Sequence, residues 1–165
     1  MDDEIESFLA SHFILTLSTF DGSTPYSTPL FYVLFHEGLF FLSDVTTKHA
    51  QDVIKNSIVS ASVHTYTREV KNIQGIQLVG VCKLIKNTRE IQQNDIFQFE
   101  EKSWIVSEIY KFYLEKFPEA HHIPSYLWGI FPFWIKFTNN QNYFGYKKIW
   151  RQKNDFSHRW IQLNL

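Results

Sequence analysis

The sequence predicts a mainly β fold of the α+β class, one domain over residues 1–165, in which helices are inserted between antiparallel strands. Three observations predict it. Apolar and polar residues alternate with period two in Leu15-Thr16-Leu17-Ser18, in Val59-Ser60-Ala61-Ser62-Val63 and in Phe133-Trp134-Ile135-Lys136-Phe137. Turn pairs, Asp21-Gly22 and Glu37-Gly38, separate the early apolar runs at hairpin spacing. The period changes to that of a helix near Ile5, after Thr46 and after Ser103.

In chain order, Ile5, Phe8 and Leu9 follow the i, i+3, i+4 spacing of a short amphipathic helix behind an acidic start. His12 to Thr19 then alternates, with Phe13, Leu15 and Leu17 expected on the inner face. After the turn Phe20-Asp21-Gly22-Ser23, Thr24 to Val33 is expected as a second strand, and Leu39 to Ser43 as a third. A helix begins near Thr46, where Asp44, Thr46 or Thr47 can cap it, with Ala50, Val53 and Ile54 as its apolar stripe and Asn56-Ser57 as its end. Val59, Ala61 and Val63 mark a fourth strand, and Tyr66 to Lys71 is polar and reads as a loop. Ile73 to Ile85 is long enough for a strand that bends at Gly75 or Gly80. A second long helix carries Ile105, Ile109, Phe112 and Tyr113 on one face and stops at Pro118. His121 to Pro132 is aromatic and proline-punctuated, so irregular structure is expected there. A last core strand follows at Phe133, and the Asn139-Asn140 turn returns the chain towards Tyr143 to Trp150.

Composition excludes several function classes. A net charge of −1 offers no basic field for nucleic acid. Cys82 is the single cysteine, so neither an intrachain disulfide nor a thiolate metal cluster can form. The start, Met1-Asp2-Asp3-Glu4, is acidic where a secretion signal is basic, and no apolar run approaches the ~18 residues of a membrane span. A cytoplasmic protein is the expectation. Aromatic residues reach 18%, more than so small a core readily hides, which suggests a buried interface between subunits.

The segment Phe40 to His49 concentrates the candidate chemistry. A strand runs into hydroxyl residues and then into a helix whose first turn carries a lysine. Free N–H groups and the positive dipole end favour a phosphate there; Ser43 and Thr47 can donate to its oxygens and Lys48 adds charge. Taken alone, Thr-Thr-Lys is a weak motif and favours an ordinary capped helix with a solvated lysine. The seven histidines raise a metal or haem reading. His121 and His122 are adjacent and splay apart, which suits one metal poorly; His12, His36, His64 and His158 read first as surface histidines, with a haem-ligand role open to any of them only by resemblance to haem-binding barrels. No Walker loop, Ser-His-Asp spacing or paired-carboxylate signature is present.

The order of segments adds information that no one segment holds. Leu15 to Thr19, then Asp21-Gly22-Ser23-Thr24-Pro25-Tyr26-Ser27-Thr28-Pro29-Leu30-Phe31-Tyr32, then Phe40 to His49, then Ile73 to Gly80, resembles the FMN-binding split barrel of the pyridoxamine 5'-phosphate oxidase-like superfamily. Trp134 to Asn140, followed by Phe144-Gly145-Tyr146-Lys147-Lys148-Ile149-Trp150, is similar to the tail of the YhbP family, whose activity is unsettled. The resemblance implies a six-stranded antiparallel Greek-key split barrel with peripheral helices. It also implies FMN as cofactor and a homodimer that holds the flavin between subunits, with no nucleic acid or membrane partner. Carried over by position, Ser27, Thr28, Pro29 and Leu30 would face the isoalloxazine ring. Leu42, Ser43, Thr47, Lys48 and His49 would hold the ribityl phosphate, with His49 standing where the oxidases have a second basic residue. An arginine that the oxidases carry at the position of Thr28 and a lysine near Val33 are absent, which reduces the phosphate clamp, and the residues that hold pyridoxal phosphate have no counterpart, which argues against vitamin B6 as substrate. Gln77 would either bond the flavin edge or pair with a neighbouring strand. Lys147 and Trp150 would approach the partner's flavin, or serve as a solvated lysine and a core tryptophan. The function implied is an FMN-dependent oxidoreductase; a non-catalytic flavin-binding module and a haem-binding protein on the same barrel are the alternatives.

Overall fold

The computed structural model describes residues 1–89, 91 and 103–152. Helix α1 (Asp3–Ala10) precedes a meander of β1 (Ile14–Phe20), β2 (Pro25–Phe31), β3 (Val33–Phe35) and β4 (Gly38–Ser43). Helix α2 (Lys48–Lys55) leads into β5 (Ile58–His64) and the long β6 (Gln74–Asn87). Helix α3 (Ser103–Lys116), β7 (Tyr126–Asn139) and β8 (Lys147–Arg151) follow, with short 3-10 turns at Val70–Asn72 and Pro118–His122. All strand pairs are antiparallel, in the order β2-β1-β5-β6-β7-β4-β3, and β8 adds to β7.

The mainly β expectation holds, but the sheet has eight strands where six were expected. The stretch expected as one strand, Thr24 to Val33, is broken at Tyr32, whose amide turns to the Phe13 carbonyl. That break yields β2 and β3, which are the two ends of the strand order. The extra strand is β8, and it exists because β7 is long enough to be shared. Tyr126 to Ile130 of β7 pairs with β4, Trp134 to Thr138 pairs with β8, and β6 runs along the other edge.

Much of β7 occupies the region expected to be irregular, since Tyr126 to Pro132 lies within the strand. Proline is tolerated here because the ladder shifts register between Val79 and Gly80, opposite Pro132 and Trp134, so that Phe133 is the extra residue. Gly80 is required at that shift. An added Cβ would fall 2.6 Å from the Phe131 carbonyl oxygen, inside van der Waals contact with backbone.

Two cores result. Alternation sends Leu15, Leu17, Val59, Ala61, Val63, Ile76 and Leu78 inward with Phe41, Trp128, Ile135 and Phe137, and α1 covers them with Ile5, Phe8 and Leu9. The second core lies on the opposite face of β4 and β7, where Phe40, Leu127 and Phe131 meet Ile105, Val106, Ile109, Tyr110 and Tyr113 of α3. Strand β4 is therefore covered on both faces, which is why its sequence is a continuous apolar run. Two apolar assignments fail. Phe13 lies before β1 and is 46% exposed, and Ile54 is 59% exposed because α2 turns His49, Ala50, Asp52 and Val53 inward instead. Part of the expected loop from Tyr66 to Lys71 also enters the 3-10 turn at Val70.

Candidate functional site

The end of β4 and the start of α2 bring three side chains into one cluster. His49 Nε2 lies 2.7 Å from Ser43 Oγ and 3.2 Å from Thr47 Oγ1, and the two hydroxyl oxygens are 3.2 Å apart. Ser43 and His49 are buried. The indole N–H of Trp128, from β7, donates to the Ser43 carbonyl at 3.1 Å and fixes the end of β4. Thr47 is the N-cap residue, but its hydroxyl donates backwards to the Asp44 carbonyl at 2.8 Å rather than capping the helix. Asp44 accepts from the Thr46 N–H and hydroxyl instead, which holds its carboxyl below the usual range. The first amides of α2 thus stay without a side-chain cap, beside two hydroxyls and an imidazole. Burial lowers the basicity of His49, with Asp52 acting weakly in the other direction.

Lys48 is placed differently from its two neighbours. Its Nζ donates to Asp52 Oδ1 at 2.5 Å and to Asp21 Oδ2 at 3.2 Å, and it lies 5.9 Å from the Tyr26 ring centre. Asp52 is buried, and its second oxygen accepts from the Thr19 hydroxyl at 2.8 Å. Burial opposes ionisation of Asp52, but the bonds from Lys48 and Thr19 outweigh it and keep the carboxyl below its ordinary range. Asp21 belongs to the β1–β2 turn, where the Thr24 and Ser23 amides and the Ser23 hydroxyl hold it strongly ionised. Together, Asp21, Lys48, Asp52 and Thr19 tie α2 to the first hairpin. The i, i+4 spacing of Lys48 and Asp52 is visible in the sequence; burial of Thr19 at a strand end is not.

The remaining candidates spread over the sheet. Ser27 and Pro29 are exposed on β2 opposite Ser18 and Thr16, and Ser27 Oγ lies 3.0 Å from Ser18 Oγ. Thr28 and Leu30 take the inner alternation of the same strand and are half-buried. Leu42 packs against the second core. Gln77 is exposed on the outer face of β6, between Ser62 of β5 and Lys136 of β7. Lys147 is exposed at the start of β8, and Trp150 is half-buried against the main core. Ser43 pairs with Tyr126 while Lys147 pairs with Thr138, twelve residues further along β7. At ~3.3 Å per residue that is roughly 40 Å of strand, so one chain does not bring Lys147 to the Ser43 cluster. His158 lies outside the described residues. Of the other histidines, His12 stacks on Phe8 and bonds its carbonyl, and His36 and His64 are exposed. Among the described residues no group of three or more His, Cys, Asp or Glu side chains is arranged to hold a metal ion, and no helix is long and apolar enough to cross a membrane.

No protein-family model matches the sequence. A UPF0306 protein of Cronobacter sakazakii is 29% identical over 150 residues, covering 90% of this chain and 93% of the relative. Among solved structures, a putative pyridoxamine 5'-phosphate oxidase from Listeria innocua superposes with a TM-score of 0.58 at 15% identity, over 83% of this chain and 97% of the other. The fold is that of the pyridoxamine-phosphate-oxidase-like split barrels. The same split barrel is shared with the haem storage protein HutZ of Vibrio cholerae (TM-score 0.59, 18% identity, 79% and 89% of the chains). It is shared too with an FAD-binding protein of Mesorhizobium loti (TM-score 0.58, 17% identity, 82% and 92%). Neighbours on this split barrel therefore include flavin-binding and haem-binding proteins.

Proposed function

We propose that this chain is an FMN-binding homodimer that acts as a flavin-dependent oxidoreductase. The observation that carries the reading is the Ser43–Thr47–His49 cluster at an uncapped helix start, beside the Lys48 ammonium. Its chemistry fits a ribityl phosphate: two hydroxyl groups, first-turn amides and an imidazole converge where the helix dipole is positive. Ser27, Thr28, Pro29 and Leu30 then present the hairpin strand to the isoalloxazine ring. Bound flavin supplies hydride-accepting chemistry, and the chain supplies position, hydrogen bonds and exclusion of water. We read β2 and β3 as one strand broken at Tyr32. On that reading the strand order closes into six strands in a ring, with β8 outside it.

A second subunit is supported by the outer face of β2, β1 and β5, which exposes Ile14, Phe31 and Ile58 around small residues such as Ser18, Ser27 and Ser60. Such an interface should bury on the order of 2,000 Å² in total. Lys147 and Trp150, remote from the cluster within one chain, would then serve the partner's site. Lys147→Ala and Trp150→Ala that keep flavin affinity and dimerisation would withdraw them.

The deciding experiment is an absorbance spectrum of the purified protein, followed by titration with FMN, riboflavin and haemin. FMN binding with weaker riboflavin binding supports the reading. A Soret band with no flavin uptake favours haem, and a monomer of 19.7 kDa by sedimentation at micromolar concentration removes the dimer. Turnover of reduced nicotinamide by the FMN-loaded protein separates an oxidoreductase from a flavin-binding module.

A further inference from the structure

Carboxylates outnumber the one lysine around the phosphate end. Lys48 faces two carboxylates, Asp21 and Asp52, so those three groups together carry a net negative charge. The Asp44 carboxylate adds another and is held by Thr46. His49 is the remaining group that can become cationic. Its ring sits between Ser43 of β4 and Thr47 at the helix start, with Phe41 of β4 at 6.5 Å, and no carboxylate lies within ion-pair distance among the described residues. Asp52, in the same helix, acts on it only at a distance.

We propose that His49 sets the preference of this site for a phosphorylated flavin, and that it does so only as the imidazolium. This rests on the flavin reading above. Charge together with hydrogen counting gives the reason. Each hydroxyl of the cluster carries one hydrogen. With a bare Nε2, the Ser43 hydrogen turns to the imidazole at 2.7 Å and the Thr47 hydrogen to the Asp44 carbonyl at 2.8 Å. Neither is left for a ligand. A hydrogen on Nε2 makes the ring a donor to Ser43 and frees the Ser43 hydrogen to point outward, as the neutral Nε2–H tautomer also does, but only the imidazolium adds a full positive charge beside the first-turn amides. Burial keeps free His49 neutral near pH 7, and a phosphate dianion reverses that balance, so FMN binding takes up a proton. The neighbours do not titrate in this range. Asp21, Asp44 and Asp52 are held below, and Lys48 above, their usual values. A lysine at position 49 would hold phosphate without any such dependence.

The test is FMN and riboflavin affinity of the full-length protein between pH 6 and pH 8, followed by flavin fluorescence. Calorimetry at pH 7 in two buffers of different ionisation heat accompanies it. The expected result is FMN affinity that falls on the order of tenfold across this range, the consequence of one linked proton, while riboflavin affinity stays within about twofold. Calorimetry should show uptake of up to one proton with FMN and none with riboflavin. His49→Gln should bind FMN at pH 6 as weakly as the native protein does at pH 8. His49→Lys should bind FMN tightly with no fall towards pH 8, and it also reports the ionisation of the phosphate itself, which gains charge near pH 6. A flat FMN profile in the native protein, or an unchanged slope in His49→Gln, overturns the proposal and leaves flavin binding intact. Failure of both flavins to bind at every pH removes the flavin reading itself, and this inference with it.

Discussion

Replacing Thr19 by valine removes one hydroxyl and changes almost nothing in shape, which isolates a single buried hydrogen bond. The hydroxyl donates to Asp52 Oδ2 at 2.8 Å, and both residues are nearly inaccessible, at 3% and 1% exposure. A hydrogen bond to a charged group contributes about 1.5–3 kcal/mol, and no water can readily replace it in a closed site. At ~2–4 °C per kcal/mol for a chain of this size, the variant should melt roughly 3–12 °C lower at pH 7. The pH dependence has a definite sign. Folding depresses the Asp52 pKa, so its stabilisation is present above the unfolded value of ~3.9 and is lost as pH falls through the folded value. Thr19→Val raises that folded value. The gap between native and variant should therefore be full at pH 7 and should shrink as pH falls through the variant's folded value towards the native one. Chemical denaturation at pH 7 and pH 3, at one fixed protein concentration, measures both. A loss below about 0.5 kcal/mol at pH 7, or a larger gap at pH 3 than at pH 7, would refute the assignment of Asp52 as a buried, ionised anchor.

Other positions give independent checks. Gly80→Ala pushes a methyl group against the Phe131 carbonyl and Pro132 Cα, so it should cost about 1–3 kcal/mol by thermal unfolding. Gly129→Ala meets only the rings of Phe40 and Phe131 and should cost less. Cys82 is buried and its thiol is pushed far above its usual range, so iodoacetamide should label it only under unfolding conditions. Lys148 bonds Asp2 at 3.1 Å and Glu4 at 2.6 Å, joining β8 to α1; Lys148→Met should speed amide exchange in Lys147–Arg151 while leaving β5 protected. Lys48→Ala should lower FMN affinity less at pH 6 than His49→Gln does, because Asp21 and Asp52 already engage the Lys48 ammonium.

Why the fold was more legible than the site follows from the range of the interactions involved. Leu15, Leu17, Val59, Ala61 and Val63 are buried because their own strands alternate, a local pattern that needs no knowledge of partners. Tyr126 to Pro132 defeats the same reasoning. It is buried on both faces, so it does not alternate, and Pro132 is admitted only by a register shift set by Gly80 fifty-two residues earlier.

The site shows the same division between local and distant causes. Ser43, Thr47 and His49 lie within seven residues of one another, and their meeting at a helix start could be read from a strand-to-helix change. The environment of Lys48 could not. Thr-Thr-Lys suggests a free cation, yet the chain folds Asp21 of the first hairpin and Asp52 of the next turn onto that lysine, while Thr19 buries Asp52. A lysine held by two carboxylates is first a brace between α2 and the β1–β2 hairpin. In the proposed flavin site, charge for a phosphate would then come from a group whose state the ligand itself can change, and within the cluster that group is His49.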